Sequence, residues 1–74
     1  MARLRPLPFR EVKRRLEAAG FAEVSQRGSH VKFIRSTPEG TRAAIVPHHA
    51  EVRPGTLRSI LNQAGLTPEE FDQL

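Results

Sequence analysis

Helical periodicity in this chain stops at Gly20 and returns only at Pro54. The stretch between is cut by two turn signals, Gly28-Ser29 and Thr37-Pro38-Glu39-Gly40. Turns at that spacing leave three short extended segments, near 22–27, 30–36 and 41–46, which predicts an antiparallel meander. A three-stranded sheet has one face to bury, and the flanking helical segments are what the chain has to bury it with. The expected architecture is therefore α+β, in the order α-β-β-β-α, with one antiparallel sheet packed under two helices.

The helices carry their own signatures. Phe9, Val12, Leu16 and Ala19 form an amphipathic stripe, with Arg10, Lys13, Arg14 and Glu17 on the other faces. Pro8 suits the first helical position, and Gly20 the left-handed stop that folds Phe21 back onto the helix. From Pro54 the apolar face is Leu57, Ile60, Leu61 and Ala64, ended by Gly65 and Leu66. The endings Leu16-Glu-Ala-Ala-Gly-Phe21 and Leu61-Asn-Gln-Ala-Gly-Leu66 look alike because both use one capping solution. Thr67-Pro68-Glu69-Glu70 opens a last short turn as a capping box, and Phe71 closes the core. In the middle strand Val31 and Phe33 alternate with His30, Lys32 and Ile34. With the first pair toward the helices, His30 and Lys32 share the open face. Arg42-Ala43-Ala44-Ile45-Val46 is too apolar for its facing to be read.

Seventy-four residues suffice for one small domain, 1–74, which buries about 60% of its unfolded surface and has no room for a deep enclosed site. Without cysteine there is no disulfide, thiolate metal site or thiol nucleophile. No apolar run approaches the roughly 18 residues of a membrane span, and the basic N-terminus leads into no apolar signal region. A soluble, cytoplasmic protein without a membrane partner is expected.

Charge narrows the partners. All twelve basic residues lie in 1–58 against five acidic ones, a net of +7, while Glu69, Glu70 and Asp72 make the end acidic. A polycationic body attracts polyanions through counterion release, and nucleic acid is the commonest of these in a cell. With four Phe and neither Tyr nor Trp there is no aromatic platform for stacked bases, so recognition runs through backbone charge and shape. No nucleotide-binding glycine loop and no paired acid-base carboxylates occur.

The chemistry-bearing stretch is Arg27-Gly28-Ser29-His30-Val31-Lys32-Phe33. Gly28 permits a tight turn or close approach to a ligand, Ser29 offers a hydroxyl and an amide, and His30 brings an imidazole into the start of a strand. Cleaving RNA through its 2′-hydroxyl needs a proton removed there, a proton delivered to the leaving oxygen, and positive charge on the phosphorane. His30 can perform one transfer, while Arg27, Lys32 or Arg35 supplies charge. His48 and His49, after Pro47, are candidates for the second transfer. Three imidazoles also match the number in a catalytic zinc site, but adjacent histidines at a strand end point apart, so no metal or other cofactor is expected. Taken alone, Gly-Ser-His is a weak pattern that more often describes a histidine that ends a turn and bonds locally.

In order and spacing, Leu16-Glu-Ala-Ala-Gly-Phe21, Gly28-Ser29-His30-Val-Lys-Phe33, Val46-Pro47-His48-His49 and Pro54-Gly55-Thr56-Leu57-Arg58 through Gly65 resemble the HicA, or YcfA-like, toxin family. The resemblance implies a double-stranded-RNA-binding-domain-like fold, an mRNA interferase activity independent of the ribosome, and a HicB-type antitoxin that blocks the site. The family's catalytic histidine carries over onto His30. Two features depart from the family pattern: Pro6-Leu7-Pro8 ahead of the first helix, and a second histidine after Pro47. A non-catalytic RNA-binding module of the same fold is the alternative. Duplex binders grip phosphates with lysines at the start of the second helix, where this chain has Arg58 alone. A third reading is a protein-interaction domain whose basic face docks an acidic partner.

Overall fold

The computed structural model describes residues 3–74. The elements are α1 (Phe9–Ala18), β1 (Ala22–Arg27), β2 (His30–Thr37), β3 (Gly40–Pro47), α2 (Pro54–Ala64) and a short α3 (Pro68–Asp72). The strands form one antiparallel sheet in the order β1-β2-β3, the expected meander.

The amphipathic stripes become the core. Val12 and Leu16 of α1 and Leu57, Ile60, Leu61 and Ala64 of α2 are buried in one cluster with Val31, Phe33, Ala44 and Val46. Each large side chain withdrawn in this way stabilises the fold by about 1.5–3 kcal/mol. Ala44 and Val46 settle the facing of β3, which leaves Ala43 and Ile45 on the open side.

Both long helices end as their sequences require. The Phe21 amide donates to the Leu16 carbonyl and the Gly20 amide to that of Glu17. Leu66 and Gly65 repeat this toward Leu61 and Asn62. Gly20 (φ 99°) and Gly65 (φ 73°) hold the left-handed positions that make these paired bonds possible. At its start α1 differs from expectation: Pro8 is the N-cap, in extended conformation, and helical geometry begins at Phe9. At α3 the capping box is complete, since the Glu70 amide donates to Thr67 Oγ1 and the Thr67 amide to Glu70 Oε1.

Two further ties shape the molecule. Leu7 and Val52 exchange both backbone hydrogen bonds, at 3.0 and 2.7 Å, so the N-terminal arm pins the segment before α2 and buries Val52. Glu11 accepts from Arg14 and Arg15, whose guanidiniums also donate to the Leu74 and Phe71 carbonyls, and this clasps α1 to α3. Among the described residues, no helix is long and apolar enough to cross a membrane.

Candidate active site

Arg27 and His30 face each other as cross-strand partners around the two-residue Gly28-Ser29 loop. Gly28 has φ 58° while no non-glycine residue among those described has positive φ, the pattern of a hairpin turn with glycine in its first central position. The loop is held at both carbonyls. Gln26 Nε2 donates to Gly28 O at 3.0 Å, and the His48 amide donates to Ser29 O at 2.6 Å. His30 therefore leaves a fixed support, although its side chain is in solvent.

Register arranges the open face in rows. Arg27, His30 and Pro47 form the first, Ser25, Lys32 and Ile45 the second, Ala22, Ile34 and Ala43 the third. The register shifts between Glu23 and Ser25, which places Val24 in a β-bulge, and Glu23 pairs with Lys13 of α1 at 3.0 Å. The strands thus give this face two cations beside the imidazole and no carboxylate. Arg27, Gly28, Ser29, His30 and Lys32 are all exposed, so the site is a shallow surface, as the chain's length implied.

Arg35 stands elsewhere. It shares the parity of Val31 and Phe33 and so points to the helix side. Its guanidinium lies 5.9 Å from the Phe21 ring, with its chain against Gly20. Five residues along a strand also separate it from His30 by about 16 Å. The structure brings together Arg27, His30 and Lys32, and not Arg35.

His48 is placed beside the loop by its backbone and away from it by its ring. The imidazole stacks on Phe9 at 4.0 Å between centroids, and Phe9 in turn tilts against Phe33 on the helix side of the sheet. His49 is exposed, its amide donating to Pro47 O. The three histidines do not converge, and among the described residues no three His, Cys, Asp or Glu side chains are gathered as a metal ion requires. The Gln26 and His48 clamps on the loop were invisible in the sequence because both act through backbone carbonyls. The alternation of β2, in contrast, was enough to have placed Arg35.

Two grooves lie apart from this surface. One, of about 440 Å³, runs between the N-terminal arm and α3 along Leu4, Arg15 and Phe71. The other, of about 570 Å³, lies at the β2–β3 hairpin beside Arg35, Arg42 and Gln63.

No curated protein matches the chain. The family model described as HicA toxin of bacterial toxin-antitoxin matches residues 9–66, from the first residue of α1 to the one that follows the Gly65 stop.

Proposed function

The chain belongs to the HicA family, toxins of bacterial toxin-antitoxin systems, and on that premise we propose that it is a metal-independent endoribonuclease that cleaves mRNA. His30 is its general acid or base, the cytoplasm its place of action, and a HicB-type antitoxin its partner. The observation that carries this reading is the first two rows of the open face. There an exposed imidazole on a clamped turn has Arg27 opposite and Lys32 two residues on, with no carboxylate to neutralise them.

Such a surface suits attack by the RNA 2′-hydroxyl. Its oxygen bonds to phosphorus as its proton departs, and the bond to the 5′ oxygen breaks as that oxygen gains a proton, leaving a 2′,3′-cyclic phosphate. His30 serves one transfer, and Arg27 and Lys32 stabilise the charge on the phosphorane. Arg35 has no part in this, because it faces the helices. His48, stacked on Phe9, is a support of the loop, so the second transfer falls to His49 or to water. One well-placed imidazole on an open surface makes a slow enzyme.

Purified His30→Ala is expected to lose about 10²–10⁴-fold in RNA cleavage with unchanged thermal stability, since the side chain is exposed. Equal cleavage by parent and variant would refute the mechanism, and so would cleavage of a substrate carrying 2′-deoxyribose at the scissile position. Salt-dependent RNA binding by the parent without any cleavage would identify the non-catalytic module instead.

A further inference from the structure

We propose that the backbone of the Gly28-Ser29 turn binds the phosphate on which His30 acts, through the amide N–H groups of both residues. This rests on the ribonuclease reading for the choice of ligand, and on the turn itself for its chemistry.

A tight turn ordinarily shows a ligand donors and acceptors alike, because each residue brings one N–H and one carbonyl. Here the acceptors are taken. Gly28 O accepts from Gln26 Nε2 at 3.0 Å, and Ser29 O accepts from the His48 amide at 2.6 Å. The Gly28 and Ser29 amides, in contrast, donate to no group among the described residues, and both residues are exposed. The turn thus offers two adjacent donors beside carbonyls that are already engaged.

Successive backbone N–H groups in a turn form a concavity that suits an anion. Arg27 and His30 flank this one as cross-strand partners, so a phosphate held by the two amides lies between a cation and the residue that moves the proton. Contacts of this kind position a nucleic-acid backbone without reading its sequence. They suit a face that has no aromatic ring on which a base could stack.

The other turn of the meander provides the contrast. Thr37 and Gly40 are paired across β2 and β3 as Arg27 and His30 are across β1 and β2, with Pro38 and Glu39 between them. Proline has no N–H to give, and Glu39 adds a carboxylate. Two loops of equal length therefore differ in what they can bind. The first has two donors and no negative charge, whereas the second has lost a donor and gained an acid.

The test titrates the whole protein, isotope-labelled for nuclear magnetic resonance, with a 2′-O-methyl oligonucleotide that has no free 2′-hydroxyl and so stays intact. The Gly28 and Ser29 amide protons should move downfield as they begin to donate to a charged oxygen, while the Glu39 amide in the other turn stays in place. Binding that leaves Gly28 and Ser29 unmoved would overturn the proposal. Cleavage kinetics give a second readout. Ser29 has the negative φ that proline requires, so Ser29→Pro deletes one N–H, and Ser29→Ala keeps it while removing the hydroxyl. Ser29→Pro should cleave RNA about tenfold more slowly than Ser29→Ala. Measurable but equal rates in the two variants would also overturn the proposal, and if Ser29→Pro does not fold, the titration of the parent decides alone. A parent that shows both amide shifts yet cleaves no RNA would remove the ribonuclease reading and leave the phosphate site standing. A parent that cleaves RNA without those shifts would do the opposite.

Discussion

The two ends of β2 carry the same charge and use it in opposite ways. At the Gly28-Ser29 end, Arg27 and Lys32 stand in solvent beside His30 without carboxylate partners. At the hairpin end, Arg35 and Arg42 are also cross-strand neighbours, but they turn inward. Arg35 lies over Phe21 and Gly20, and the Arg42 guanidinium comes so near Gly65 that a Cβ there would sit 2.8 Å from its central carbon. These two arginines cover the ends of α1 and α2, where carbonyl groups concentrate negative partial charge. Directly opposed like charges destabilise a sheet, and the helix ends offset that repulsion at one end of β2 only. The other end keeps its cations uncompensated, which is what a phosphate-binding surface needs.

Paired substitutions would break this comparison most visibly. Arg27→Ala with Lys32→Ala should lower RNA cleavage about a hundredfold and leave the unfolding midpoint nearly unchanged. Arg35→Ala with Arg42→Ala should do the reverse, with cleavage within about twofold of the parent and stability lower by about 1 kcal/mol from the lost cation–π and helix-end contacts. Equal losses of cleavage from the two pairs would mean that RNA wraps both ends of the strand.

A second contrast sets two left-handed glycines against each other. At Gly28 (φ 58°) a side-chain carbon would meet nothing within 4 Å, whereas at Gly65 (φ 73°) it would meet the Arg42 guanidinium. Alanine at either position should cost about 1 kcal/mol for its backbone conformation. Arg42, the far end of a flexible chain, swings aside and adds a few tenths at Gly65. In urea unfolding the two variants are therefore close. They should part in cleavage, which Gly28→Ala lowers by shifting the turn that carries His30 and Gly65→Ala leaves unchanged.

What could be read from the residues alone follows the same division between local and distant causes. Both helix endings were legible because a Schellman-type stop is written within six residues, as in Leu16 through Phe21. The parity of β2 was legible because Val31 and Phe33 alternate with polar residues. Arg35 was assigned to the site by its charge, although its position in the same alternation already turned it toward the helices. The facing of β3 was unreadable, since Ala43, Ala44, Ile45 and Val46 are all apolar and only the register against β2, with the burial of Ala44 and Val46, decides it. The Phe9–His48 stack and the Leu7–Val52 bridge join residues about 40 apart in the chain and leave no local signal. The family assignment came from segments that are each ordinary and specific only in order, and the match over residues 9–66 shows it.

A third set of arginines sharpens the comparison by the smallest margin. Arg14 and Arg15 have what the cations near His30 lack, a carboxylate between them, and their hydrogen bonds hold Glu11 down from the usual 4.5 to about 2. A carboxyl whose pKa is depressed by folding stabilises the native state in full above its unfolded value. That contribution fades as pH falls from about 4.5 toward about 2. Acid titration of the parent should therefore show stability declining through this window, and Glu11→Gln should flatten the decline while lowering the plateau at neutral pH slightly. Because the pair is solvent-accessible, salt near 1 M should shrink the difference between the two curves. A parent and variant with the same slope in low salt would show that the clasp between α1 and α3 rests on the carbonyl contacts of Phe71 and Leu74 and on the Arg15–Phe71 stacking, with the carboxylate contributing nothing. RNA cleavage at neutral pH should be the same in both proteins, because this cluster lies on α1 and stands apart from the face that carries His30.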